Sequence, residues 1–192
     1  MAATHSQNRR LEVTEAAWRV IVREGLDRAS MRAIAQELGC TTGVVTHYFR
    51  DKQELTLFAL QQVTERLLAL MESQPKGTGL DRLLQLLLVF LPWDPERQAI
   101  VRVWLAFLGY AVGRPELMAE HQHCSEALEH LVAEEIRQLQ KTGDIRPELD
   151  PDLEAQGLLA LVDGLAIRSV IQGTPLAPEQ YQALLRRYVQ SL

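Results

Sequence analysis

Cysteines and aromatic residues are scarce in this 192-residue sequence, and long apolar runs are missing. Its two cysteines, Cys40 and Cys124, lie far apart and indicate no disulfide framework. The longest apolar runs, Leu86–Leu91 and Val103–Leu108, are too short to cross a bilayer. No N-terminal stretch has the charged and then apolar pattern of a signal peptide. These absences predict a cytoplasmic protein with no membrane partner.

The common phosphate-binding and hydrolase motifs are also missing, since GxGxxG, GxxxxGK[ST], GxSxG and HExxH do not occur. The segment EHQHCSE contains potential metal ligands, but on a helix His121 and His123 face nearly opposite sides. Only His121 and Cys124 could share an ion, and two ligands do not complete a zinc site. The sequence therefore predicts no enzyme, no metal site and no cofactor.

Charge is distributed unevenly along the chain, whose formal net charge is −5. Residues 1–55 carry eight Lys or Arg against seven Asp or Glu, whereas the remainder carries twelve against eighteen. Only the N-terminal part could approach a polyanion such as DNA without strong repulsion. No stretch shows sustained strand alternation, so we expect an all-α protein.

A short helix, a tight turn and a second short helix are predicted within SMRAIAQELGCTTGVVTHYF, residues 30–49. Ser30 is a good N-cap for the first helix. Gly39 can adopt the left-handed conformation that ends it. The second helix, from about Thr41 to His47, turns Val44 and Val45 toward the first and leaves small polar side chains outside. This pattern is typical of a helix-turn-helix that offers its polar face to a DNA groove.

A helix from about Arg9 to Gly25 precedes this motif and would complete a three-helix domain, residues 1–52. Met1–Asn8 is polar and without periodicity, so we expect a mobile arm there. Arg9 and Arg10 either contact phosphate or are simply solvated.

The remaining residues, 53–192, are predicted to form six helices. The first begins after the N-cap Asp51, and the segment Gln74–Gly79 is the clearest linker. Four of the later helices are expected to start at or near a proline, which suits the first turn. Those prolines are Pro95, Pro115, Pro151 and Pro178.

The segment ASMRAIAQELGCTTGVVTHYFRDKQEL resembles the DNA-binding domain of the TetR family of bacterial repressors. It is closest to the branch typified by the choline-responsive repressor of betaine synthesis. VWLAFLGYAVGRPEL and LLALVDGLAIRSVIQGTPL resemble the C-terminal domain of that branch. The resemblance implies a three-helix DNA-binding domain and a six-helix effector-binding and dimerisation domain.

Nine residues are predicted to contact DNA. Thr42, Thr46 and His47 are the first choices for bases or phosphates, and Gly43 allows the backbone to approach the groove. Phosphate roles for Tyr48 and Lys52 agree with what the HYF-x-x-K pattern of the family implies. The full set is Ser30, Arg32, Thr41, Thr42, Gly43, Thr46, His47, Tyr48 and Lys52. Because threonine replaces residue types common in relatives at two of these positions, 42 and 46, base preference cannot be carried over.

The last two helices, about 151–172 and 178–191, are the predicted homodimer surface. Apolar residues cover more of the first of them than one monomeric core requires. Gly157 and Gly164 are one heptad apart, which would let a neighbouring helix come close. Burial within a single chain is the alternative. A four-helix interface around a two-fold axis is what the resemblance implies.

An effector site is expected in the apolar interior between residues 60 and 170. Trp93, Trp104, Phe107 and Asp163 are its candidate residues. Aromatic faces and a carboxylate suit a choline-like cation, but Ala166 stands where the choline-responsive relative has a tryptophan. The alternatives are ordinary core packing for Trp104 and an ion pair of Asp163 with Arg168 or Arg102. An undefined small, largely apolar effector is therefore favoured.

Together these observations predict a DNA-binding transcription regulator. We expect a homodimeric repressor that binds an inverted-repeat operator on double-stranded DNA and is released by a small-molecule effector. The competing interpretation is a helical small-molecule-binding protein or enzyme without a role on DNA.

Overall fold

The computed structural model describes the backbone of residues 2–74 and 77–192, and the side chains within these ranges from residue 8 onward. Within this part of the chain the structure is all-helical, which confirms the predicted fold class. The helices are α1 Ala2–Glu24, α2 Met31–Leu38, α3 Thr42–Thr46, α4 Lys52–Ser73, α5 Gly79–Leu88, α6 Pro95–Ala111, α7 Pro115–Thr142, α8 Pro151–Gln172 and α9 Pro178–Val189. None of the described helices is both long and apolar enough to cross a membrane.

The starts of most helices follow the capping signals of the sequence. The four predicted prolines are the first residues of α6, α7, α8 and α9. Before α4, the Asp51 carboxylate accepts a hydrogen bond from the Glu54 N–H at 2.9 Å. Before α8, the Asp150 carboxylate accepts one from the Asp152 N–H at 3.0 Å. These local side-chain acceptors compensate backbone donors that the first turn leaves free.

Two helix ends differ from the sequence-based expectation. The backbone is helical from Ala2, where a mobile arm reaching Asn8 was expected. The sequence did not indicate these turns because they are polar and have no apolar periodicity. Met1 lies outside the described residues, as do Pro75 and Lys76 of the predicted linker. The apolar run Leu80 to Leu91 and the following Pro92 predict a helix that reaches Leu91. Helix α5 instead ends at Leu88, because the chain passes into i→i+3 hydrogen bonds before Pro92.

The chain forms two compact units. The first unit comprises residues 1–63 and 102–118, and the second comprises residues 64–101 and 119–192. Helix α4 begins in the first unit and ends in the second without a break. A boundary of the DNA-binding domain at residue 52, the start of this helix, stays a prediction.

The core of the first unit fixes the three N-terminal helices to one another. Ile21 of α1, Ile34 of α2 and Val45 of α3 are almost completely buried, as is Leu55 at the start of α4. Burying such aliphatic side chains stabilises by about 1.5–3 kcal/mol each. Helix α3, with only five residues, depends on this tertiary packing because a helix so short is unstable alone.

The core of the second unit is formed by α5, α8 and α9 among other helices. Leu83, Leu84 and Leu87 of α5 are buried, and Tyr181 of α9 is completely enclosed. The Tyr181 hydroxyl is hydrogen-bonded to the Ser169 hydroxyl and also accepts from the Leu176 N–H at 3.3 Å. A buried tyrosine hydroxyl is therefore satisfied, as burial of a polar group requires.

Candidate nucleic-acid interface

Helix α2 and the turn that follows it have the geometry predicted from their capping residues. The Ser30 hydroxyl accepts a hydrogen bond from the Ala33 N–H at 3.2 Å. Gly39 has φ of 63°, in the left-handed region, and ends the helix. The Cys40 N–H then bonds to the Ala35 carbonyl at 3.0 Å, which closes a tight turn into α3.

Helix α3 turns one apolar residue inward and its polar residues outward. Val45 is completely buried, and Phe49 just after the helix is nearly so. The residues predicted to contact DNA on this segment and before it are exposed, namely Ser30, Arg32, Thr41, Thr42, Gly43, Thr46 and His47. The Thr46 hydroxyl donates to the Gly43 carbonyl at 3.2 Å. Its lone pairs are left to accept hydrogen bonds from a partner.

Tyr48 lies beside His47 at one edge of a cavity of about 530 Å³ in the first unit. The two rings meet edge to face with their centroids 5.2 Å apart. Arg10 of α1 lines the same cavity. The structure thus places an arginine near two of the predicted DNA contacts, although sequence reasoning gave Arg10 no preference between phosphate and solvent. A phenol, an imidazole and a guanidinium together can donate hydrogen bonds to phosphate oxygens.

Lys52 is engaged inside the first unit. Its ammonium donates to the backbone carbonyls of Leu26, Asp27 and Ala29, the last at 2.7 Å and Asp27 at 3.3 Å. Burial lowers the pKa of this ammonium, while the nearby Asp27 carboxylate acts in the opposite direction. Lys52 therefore ties the turn between α1 and α2 to the start of α4. Its predicted phosphate contact stays a prediction.

Glu37 is a positioning residue that sequence reasoning missed. Its carboxylate accepts hydrogen bonds from Arg23 at 2.8 Å and from Arg19 at 3.0 Å, which links α2 to α1. These bonds lower the pKa of Glu37, and the bond from Arg23 has the larger effect. The i, i+4 spacing of the two arginines places them on one side of α1 and was an available signal.

The candidate effector residues are divided between the two units. Trp104 and Phe107 lie in the first, where Phe107 is completely buried, and Trp93 and Asp163 lie in the second. The Arg97 guanidinium lies 4.3 Å from the centre of the Trp93 ring. The indole N–H of Trp93 donates to the Leu88 carbonyl at 3.3 Å. One face of this ring and its N–H are thus occupied, and the role of all four residues in ligand binding stays a prediction.

Asp163 of α8 keeps access to solvent in the single chain but is crowded by protein atoms. This desolvation raises the pKa of its carboxyl to about 6. Among the described residues it makes no ion pair with Arg168. Ionisation of the Asp163 carboxyl therefore lowers the free energy of unfolding.

Helices α8 and α9 present apolar side chains to solvent. Ile171 is 77% exposed and Leu153 is 64% exposed on α8, and Leu184 of α9 is 44% exposed. A Cβ atom added at Gly164 would meet no atom within 4 Å, whereas one added at Gly157 would lie 3.2 Å from the Tyr188 hydroxyl. Gly157 therefore makes room for α9 of its own chain, while the space beside Gly164 is open.

Comparisons with known proteins agree with this geometry. A family model described as bacterial regulatory proteins of the tetR family matches residues 13–57. One described as the C-terminal part of a BetI-type transcriptional repressor matches residues 79–192. The HTH-type transcriptional regulator PksA from Bacillus subtilis is 32% identical over 97% of this chain and 90% of its own.

Two further relatives extend the comparison over most of the chain. The HTH-type transcriptional regulator BetI from Escherichia coli is 29% identical over 94% of this chain and 92% of its own. A crystal structure of a transcriptional regulator from Saccharomonospora viridis in complex with choline has a TM-score of 0.82 and 26% identity. That similarity covers 96% of each chain. These findings confirm the resemblance on which the sequence-based expectations depended.

Proposed function

Because the chain belongs to the TetR family of bacterial transcription regulators, we propose that it is a homodimeric repressor of an inverted-repeat operator, released by a small-molecule effector. The chain is a helix-turn-helix regulator and not an enzyme, since the family models and relatives that match are all regulators. The competing interpretation as a helical enzyme is therefore excluded. We place its action in the cytoplasm.

The exposed polar row of α3 carries the proposal for DNA. Thr42, Thr46 and His47 would meet base edges or phosphates, and Gly43 would let the backbone come close. Their orientation is set by the buried Val45, so the row is presented without rearrangement of the core. Ser30, Arg32 and Thr41 would contact the phosphate backbone at the groove edge, and Tyr48 would do so together with Arg10.

The apolar face on α8 and α9 supports the proposal of a homodimer. Large exposed apolar side chains on adjacent helices are typical of a surface that another protein covers. A second copy related by a two-fold axis would cover it with the same residues. The two helix-turn-helix motifs of the dimer, held about 34–36 Å apart, could then bind successive major grooves of one operator.

Effector binding would act by shifting the population of two arrangements of the dimer, of which only one fits the operator. Helix α4 runs from Lys52 to Ser73 and so extends from the helix-turn-helix unit into the second unit. We propose that a ligand bound against the C-terminal half of α4 alters the orientation that α4 gives to the helix-turn-helix. The choline bound by the Saccharomonospora relative makes organic cations the first class of ligand to test.

The proposal is tested by footprinting DNA upstream of the protein's own and neighbouring genes, followed by fluorescence anisotropy on the protected segment at fixed salt. Thr46→Ala should alter base preference at one position of each half-site and lower affinity by about tenfold, since one good base contact is worth about 1–3 kcal/mol. Thr78→Ala, at an exposed threonine of the second unit, is the matched control and should bind normally. Unchanged binding by Thr46→Ala would contradict the placement of the recognition face.

A further inference from the structure

The second unit contains a cavity of about 770 Å³ between the C-terminal part of α4, helix α5 and helix α7. Its apolar wall is formed by Leu68, Met71, Leu86 and Leu131. Leu68 and Leu131 are both exposed, although large aliphatic side chains are usually buried. The volume lies within the range of small-molecule sites in proteins, about 300–1,000 Å³. An elongated apolar ligand would cover this wall.

The charged side chains that line the cavity are mostly acidic. Glu135 accepts a hydrogen bond from Arg82 Nε at 2.8 Å, so these two charges compensate each other. Glu134 lies 3.7 Å from Arg137, a longer separation, and that arginine also binds Asp152 at 2.6 Å.

Glu72 completes the acidic lining and makes no ion pair among the residues that the structure describes. The cavity therefore has an excess of negative charge that favours a cationic ligand.

Hydrogen bonding in the cavity wall leaves an acceptor without a donor. The side-chain oxygen of Gln85 is buried and has no hydrogen-bond partner. The amide groups of Gln74 and Gln138 donate elsewhere, to the Leu70 carbonyl at 3.1 Å and to Glu134 at 2.8 Å. This oxygen is enclosed by protein, so a cationic ligand would contact the wall at its exposed carboxylates rather than at this amide.

We propose that this cavity binds an amphipathic protonated amine, with its ammonium at the exposed carboxylates of Glu72 and Glu134 and its apolar part along the leucines. Among the described residues that line the cavity, the only aromatic ring is the imidazole of His130, and none is a phenylalanine, tyrosine or tryptophan of the kind that binds quaternary ammonium ions. A quaternary ammonium also has no N–H to donate to these carboxylates. The ligand class therefore differs from choline. The inference rests on the proposed function, since it names the effector of that regulator.

Isothermal titration calorimetry of the full chain without DNA tests the ligand class. The probes share one apolar tail and are octylammonium, octyltrimethylammonium, octanoate and 1-octanol, all at neutral pH. We expect octylammonium to bind one molecule per chain, about tenfold or more tighter than each of the other three. Equal or tighter binding of octyltrimethylammonium or 1-octanol would overturn the inference.

Two variants and a matched control locate the binding site. Glu72→Gln and Glu134→Gln each remove an exposed carboxylate of the cavity, and each should weaken octylammonium binding about tenfold. Glu126→Gln changes an exposed glutamate of α7 outside the cavity and should bind as the unchanged protein does. Because Glu134 is exposed, its variant should fold normally. Wild-type affinity in both cavity variants would show that the amine binds elsewhere.

An operator titration with and without octylammonium separates this inference from the proposed function. If the chain binds no operator but binds the amine as described, the proposed function fails and the ligand class stands. If it binds its operator but no amine, only the ligand class fails. Amine binding that leaves operator affinity unchanged would overturn the assignment of this cavity as the effector site.

Discussion

Lys52 has a structural contact that no sequence pattern reveals. Its ammonium donates to the backbone carbonyls of Leu26, Asp27 and Ala29. A backbone carbonyl is present at every position, so residue identity alone could not predict this contact. The exposed threonines of α3 were predictable, since alternation of one buried valine with small polar residues identifies their face. The exposure of these threonines was thus predictable, whereas the carbonyl contacts of the partly buried Lys52 were not.

We expect Lys52→Met to lower the free energy of unfolding by about 1–3 kcal/mol, because three carbonyls lose a charged donor. Methionine keeps the apolar stem of the side chain, so the loss reports the ammonium. The salt dependence of operator binding decides whether the same ammonium also makes the predicted phosphate contact, since the slope then falls by about 0.9 as well. Arg32→Met, at an exposed predicted phosphate contact, is the comparison and should reduce that slope by about 0.9.

Chemical denaturation and binding at several salt concentrations measure both effects. If Lys52→Met were as stable as the unchanged protein but had a shallower salt slope, Lys52 would be a phosphate contact as the sequence suggested.

The raised pKa of Asp163 predicts that the free energy of unfolding depends on pH. Its pKa is raised from 3.8 to about 6 by desolvation, so the folded protein binds a proton more tightly than the unfolded chain does. The free energy of unfolding contributed at this site should therefore fall as the pH rises from about 4 to about 6 and stay constant above that.

Asp163→Asn should remove this loss, because the amide carries no charge to desolvate. The variant should unfold at higher denaturant concentration than the unchanged protein at pH 8, and at the same concentration near pH 4. Asp152→Asn is no suitable control because Asp152 binds Arg137, whereas Glu126→Gln changes an exposed carboxylate of α7 and is the control. A constant difference between Asp163→Asn and the unchanged protein across this range would contradict the assignment.

At the scale of elements, helix boundaries with a chemical marker were predictable. Prolines begin four helices and glycines end α2 and α8, as their backbone preferences require. The start of α1 was not predictable, because its first turns are polar and have no apolar face to detect. Gly157 shows a further limit, since the Tyr188 hydroxyl that needs its space comes from another helix.

Helix α8 provides a test of the proposed dimer. Gly164→Leu adds a side chain where a single chain has open space, so folding should be unaffected. In a dimer built on α8 and α9, that side chain would occupy the place of a neighbouring helix and weaken association by about 100-fold. Gly109→Leu, at an exposed helical glycine of α6 that also faces open space, is the matched control.

Sedimentation velocity over a range of protein concentrations measures this dimer dissociation. Equal dissociation constants for the two glycine variants would mean that the copies meet elsewhere.

At the scale of the whole molecule, the family, the all-helical class and the helix-turn-helix were accessible from the sequence. Motifs such as TTGVVTHYF concentrate their signal in a few adjacent residues. The cavity of the second unit was not accessible, because Leu68, Gln85 and Glu134 come from three helices that are far apart in the chain. Residues selected for their chemistry, such as Trp93, proved to have neighbours that only the fold brings together.

The proposed function requires two copies of the chain to act together on one operator. Fluorescence anisotropy, at one salt concentration, on the protected inverted repeat and on the same duplex with one half-site scrambled tests it most directly. We predict two chains per intact duplex and an affinity at least about 100-fold lower for the scrambled duplex, since the second helix-turn-helix then loses its base contacts. One chain per duplex, with equal affinity for both DNAs, would mean that a single copy binds the operator alone.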